Sequence, residues 1–136
     1  DSNIPKQLGS WAAQGLAANR LFKQIKHRGD LEPRIDLWKT EGHADSQQIE
    51  QVFVDYFLQQ VSRFTIDGQE FSFELPESVG PLDCSGFEVL IEQGKEAGAY
   101  GIDHRIWGVV GTAFLFLKNA FEPLLGLNPT PRANQG

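Results

Sequence analysis

Apolar residues change period in the middle of this chain, and that change restricts the fold more than any other feature. From Ile49 the spacing is helical, through Val52, Phe53, Tyr56, Phe57, Val61 and Phe64. It then alternates: Phe64 and Ile66 precede Asp67-Gly68, and Phe71, Phe73 and Leu75 follow it, with Thr65, Ser72 and Glu74 between. Residues three and four apart share a face of a helix, whereas residues two apart share a face of a strand. Asp-Gly between alternating runs marks a tight hairpin, because such a turn demands positive φ that glycine tolerates. The pattern predicts a helix beginning near Asp45, where Asp45 and Gln48 have capping-box spacing, and then a β-hairpin over roughly 63–75. A two-stranded ribbon is barely stable alone in water, so the flanking helices are expected to cover its apolar face.

Helical spacing also runs through Leu8, Trp11, Gly15, Ala18, Phe22 and Ile25, predicting a helix over about 5–27. Its last turn collects Lys23, Lys26, His27 and Arg28, where the helix dipole favours positive charge, and Gly29 can end it. Residues 29–45 contain Gly29, Pro33 and Gly42 as turn formers and are expected to be a loop that packs through Leu31, Ile35, Leu37 and Trp38. Beyond Pro76 and Ser78-Val79-Gly80-Pro81, the capping-box spacing of Ser85 and Glu88 predicts a short helix over about 86–97, ended by Gly98. Asp103 is placed to cap a last helix over about 104–121; the apolar runs there would also suit a buried strand, and length favours the helix. The expected fold class is α+β: two N-terminal helices, one β-hairpin and two C-terminal helices, the last one buried. A chain of 136 residues can close one core without metal or disulfide, so a single domain over 1–127 with a flexible tail over 128–136 is expected.

Composition excludes several classes of function. The single Cys84 rules out an intrachain disulfide and any cysteine-based zinc cluster. Ile106 to Leu117 is the most apolar stretch, and its 12 residues fall short of the ~20 a membrane span needs. No targeting segment is visible and the sequence contains no Met; a cytoplasmic location is expected. Gly108-Val109-Val110-Gly111 lacks the Lys-Ser/Thr of a phosphate loop, so its glycines read as close-packing positions on a helix. His27, His43 and His104 have no partners at metal-ligand spacing, although Glu41 and Asp45 flank His43. No metal and no cofactor are expected. The run Asp83-Cys84-Ser85-Gly86-Phe87 resembles the nucleophile motif of NlpC-type cysteine peptidases, which opens a helix. The resemblance covers five residues and implies Cys84 as nucleophile; it also implies a histidine on a following sheet, whereas here only His104 follows, at the start of an apolar segment.

Charge is distributed in blocks. Residues 1–40 carry a balance of +3, residues 41–103 one of −11 with only Arg63 and Lys95 as cations, and residues 104–136 one of +2. The middle block is not an acidic tail, because its acids are interleaved with core-forming residues. Glu50 and Asp55 fall on the polar face of the Asp45 helix, Glu70 and Glu74 on the hairpin, and Glu88, Glu92 and Glu96 four apart on the next helix. Such a field attracts cations and repels nucleic acid. The expectation is a non-enzymatic binding module that engages a basic protein surface, or its own basic first helix, through these seven carboxylates. Nucleic acid and membrane are not expected partners. A small-molecule domain with an aromatic-lined pocket, and a hydrolase using Cys84, are the alternatives.

Overall fold

The computed structural model describes residues 11–28, 31–41 and 45–125. Helix α1 spans Trp11–Arg28, α2 Leu31–Thr40, α3 Ser46–Val61, α4 Cys84–Ala97 and α5 His104–Phe121; strands β1, Arg63–Ile66, and β2, Gln69–Ser72, form an antiparallel hairpin between α3 and α4. Short 3-10 turns lie at Glu77–Val79 and Glu122–Leu125. The fold is a single compact α+β domain, as the change of period requires.

Three helices precede the hairpin rather than two. Residues 31–40, expected as loop, form α2, which buries Leu31, Ile35 and Trp38. These three residues have i, i+4, i+7 spacing, and Pro33 sits in the first turn, where its missing N–H has no helical partner to lose. Residues 5–10 of the first predicted helix, Gly29, and the tail over 128–136 lie outside the described residues.

Helix α5 is the axis of the core. Trp107, Val109, Val110, Ala113, Phe114, Leu117 and Phe121 are all buried, so the ambiguous apolar run is a helix packed on most sides. Its neighbours α1 and α4 approach closely over glycines. A Cβ at Gly108 would overlap Gln14 of α1, and one at Gly111 would overlap Ile91 of α4. In return, Gly94 of α4 lies under the indole of Trp107. The Phe114 ring meets Phe53 and Phe57 of α3 and Phe87 of α4 at centroid distances of 5.6, 5.0 and 4.8 Å, which joins three helices in one aromatic cluster.

The hairpin follows the alternation read in the sequence. Phe64, Ile66, Phe71 and Phe73 are buried, while Arg63, Thr65, Glu70, Ser72 and Glu74 face outward. Asp67 and Gly68 have φ of 53° and 80°, as a two-residue hairpin turn requires. Phe73 stacks edge-on against Trp107 at 4.8 Å, so the ribbon is clamped onto α5.

Candidate binding groove

The expected carboxylates divide into two groups. Glu50 and Glu88 are partly buried and have internal partners: Glu50 Oε1 accepts the Cys84 backbone N–H at 3.2 Å, and Glu88 accepts from Lys118 Nζ at 2.6 Å. Asp55, Glu70, Glu74, Glu92 and Glu96 are exposed. Among these, Glu70 pairs with Arg63 across the hairpin at 2.7 Å and Glu92 lies 3.6 Å from Lys95, whereas Glu74 has no ion-pair partner among the described residues. Desolvation pushes the Asp55 carboxyl above its ordinary range. The start of α4 explains the partition. Asp83, not Ser85, caps this helix by accepting the Gly86 N–H at 2.8 Å, and Glu50 accepts the amide of its first residue, Cys84, so the Ser85–Glu88 capping box does not form.

Glu70 and Glu74 open onto a groove of about 520 Å³ lined also by Gln69, Phe71, Ser72, Tyr100, Gly101, Ile102, Asp103 and Ile106. One wall is β2; the other is the turn from Ala99 to Ile102. Gly98 ends α4 with φ of 74°, and Ala99 and Ile102 then pair through two backbone hydrogen bonds of 3.2 and 2.9 Å. Tyr100 and Gly101, between them, have φ of 56° and 74°. The Trp107 indole N–H donates to the Ala99 carbonyl at 3.3 Å and ties this turn to the buried helix.

Asp103 holds the far end of the same wall. Its Oδ1 accepts the Arg105 backbone N–H at 2.7 Å and the guanidinium Nε at 3.0 Å, capping α5 as its position predicts. The Arg105 side chain is the main reason its carboxyl drops from an ordinary 3.8 to about 2. A lowered folded-state value means that the contribution to stability is complete above about pH 4 and is lost as pH falls towards 2. Replacing Asp103 by Ala should cost about 1 kcal/mol near neutral pH, as N-cap truncations do. Melting curves of wild type and Asp103→Ala should converge as pH falls through that window; a gap independent of pH would overturn this assignment.

Cys84 does not have the surroundings of a nucleophile. Its side chain is buried in the core, and desolvation, followed by the charge of Glu50, raises its pKa strongly. Lys118 opposes that shift, but Glu88 and Glu122 add to it, and no histidine is among the charges that act on the thiol. Iodoacetamide at about pH 8 should leave Cys84 unmodified in the folded protein and label it once urea unfolds the chain. Rapid labelling of the native state would restore the peptidase-like reading.

Most of the aromatic residues are core, while Phe71 and Tyr100 line the groove. Trp107 and six of the phenylalanines are among the largest fully buried side chains. A second cavity, of about 320 Å³, is bounded by α1, α2, α3 and α5 and has Tyr56 as the one aromatic among its described lining residues. Among the described residues no group of three or more His, Cys, Asp or Glu could hold a metal ion, and no helix is long and apolar enough to cross a membrane. Compared with known proteins, the chain matches no protein family, no curated protein and no solved structure.

Sequence reasoning found Glu70 and Glu74 but missed the wall opposite them. Tyr100 and Ile102 fall between the two predicted helices, 86–97 and 104–121, and Asp103 reads as a cap. The available signal was Tyr-Gly between Ala99 and Ile102, an aromatic variant of the two-residue turn already recognised at Asp67-Gly68.

Proposed function

We propose that this chain is a non-enzymatic, cytoplasmic binding module that engages a basic protein partner through exposed carboxylates, with Glu70 and Glu74 at the centre of the contact and Glu92, Glu96 and Asp55 as a wider acidic field. The observation that carries this reading is the charge of the groove. Its lining includes Glu70, Glu74 and Asp103 and no lysine or arginine. Arg63 and Arg105 neutralise two of these carboxylates from outside the groove, which leaves Glu74 uncompensated at its rim. Glu50 and Glu88 support the fold in this reading and make no contact with the partner.

Electrostatic complementarity of this kind steers association and weakens with salt. A fluorescein-labelled nonalysine peptide should therefore bind at low ionic strength, with affinity falling about tenfold or more between about 50 and 300 mM salt. Replacing Glu70, Glu74, Glu92 and Glu96 together by Gln should remove that binding while leaving the fold intact, because all four side chains are exposed. Absence of binding by the wild type, or equal binding by the neutralised variant, would overturn the proposal.

A further inference from the structure

We propose that the groove receives an extended segment of the partner as a third strand on β2, a segment in which basic and apolar residues alternate. The inference rests on the acidic-module reading and specifies where and in what conformation the partner binds.

The two edges of the hairpin differ. On the β1 side, α1 covers the ladder: Gln24 Nε2 donates to the Thr65 carbonyl at 2.6 Å, and Arg20 pairs with Asp67 at the turn. The sheet contains only β1 and β2 among the described residues, so β2 has no strand on its other side. Register fixes which groups that edge presents. Gln69 opposes Ile66 beside the turn, and the Phe73 N–H donates to the Ser62 carbonyl at 3.4 Å. Hydrogen-bonded and non-bonded pairs alternate in an antiparallel ladder, so Gln69, Phe71 and Phe73 bond inward, and the N–H and C=O of Glu70 and Ser72 point away from β1. The groove lies on that side, since β2 lines it and no β1 residue does.

An added strand takes its side-chain pattern from this edge. Residues directly opposite Glu70, Ser72 and Glu74 project their side chains on the same outer face, where lysine or arginine would meet the two carboxylates. The residues between them project inward, towards Phe71, Ile102 and Ile106. A second copy of β2 fits poorly. Antiparallel pairing centred on Ser72 would place Glu70 directly opposite Glu74 twice, and like charges so placed repel. The carboxylates thus guard the edge against self-pairing while admitting a basic strand.

Tyr100 supplies the cover. It is 51% exposed on the wall facing β2 and adopts φ of 56°, a conformation that disfavours side chains with a Cβ. Glycine or asparagine would satisfy the turn with less strain, and neither would offer an aromatic face to a lysine or arginine side chain.

The test uses a fluorescein-labelled peptide, Lys-Val-Lys-Val-Lys-Val-Lys, and its two forms N-methylated either on the lysine or on the valine amides. In a strand added to β2 only one alternating set of amides faces the edge. Methylating that set should weaken binding about tenfold or more and methylating the other set should not, with the sensitive set reporting strand direction. Tyr100→Gly should reduce affinity several-fold without lowering Tm, so that binding and stability part company. Equal binding by all three peptides together with an unaffected Tyr100→Gly variant would overturn strand addition while leaving the acidic module intact, provided nonalysine binding still depends on the carboxylates. If neither nonalysine nor the alternating peptide binds, both proposals fall.

Discussion

Phe114→Ala should remove about 3–5 kcal/mol of stability, a large part of the 5–15 kcal/mol typical of a domain. The ring is fully buried and touches Phe53, Phe57 and Phe87, so truncation loses its transfer free energy and leaves a cavity walled by rigid aromatics from α3 and α4. Those walls belong to separate helices whose positions are set by other contacts, which limits collapse into the space. Urea denaturation should show a lower midpoint with nearly the same slope. Phe114→Leu, which keeps most of the volume, should cost clearly less. A loss below about 1 kcal/mol for the alanine variant would mean that the cluster does not hold the helices together.

Gly94→Ala should also destabilise, although alanine is the better helix former by about 1 kcal/mol. The new methyl would overlap the Trp107 indole, which is itself fully buried and stacked edge-on by Phe73, the residue that follows β2. Neither ring nor helix can yield without disturbing the Trp107–Ala99 hydrogen bond that anchors the Tyr100 turn. Overpacking of this kind costs about 1–3 kcal/mol, so after the helix-propensity gain the net loss should be up to about 2 kcal/mol. Trp107→Ala removes all three overlapping atoms, Cγ, Cδ2 and Cε2, and a double-mutant cycle should show that Gly94→Ala is less harmful in that background. Strict additivity would contradict the proposed contact.

Legibility of the fold varied with the source of the information. The hairpin was readable because period-two alternation and Asp67-Gly68 both report local backbone geometry. Helix α5 was readable from its length, its Asp103 cap and its glycines at close-packing positions. Helix α2 was misread because Pro33 and the flanking glycines signalled turns more strongly than Leu31, Ile35 and Trp38 signalled a helix face. The start of α4 was displaced for a related reason. Asp83 and Ser85 are both good caps, and only the arrival of Glu50 from α3, 34 residues earlier, favours the frame that begins at Cys84.

The candidate site divides in the same way. That acids cluster between residues 41 and 103, that they alternate with phenylalanine on a hairpin and that the chain has no cysteine cluster all follow from order and composition, because these act within a few residues. Which acids remain available does not. Glu88 and Glu92 are one helical turn apart and look equivalent along α4, yet Lys118 of α5 reaches one of them, while the other stays exposed. The groove likewise exists only because α4 and α5 fold back to bring Tyr100 opposite Ser72. Side-chain periodicity records which face of an element meets the core; it carries no information about which distant element will stand across the solvent-facing side, since that is set by the packing of α5 against its neighbours.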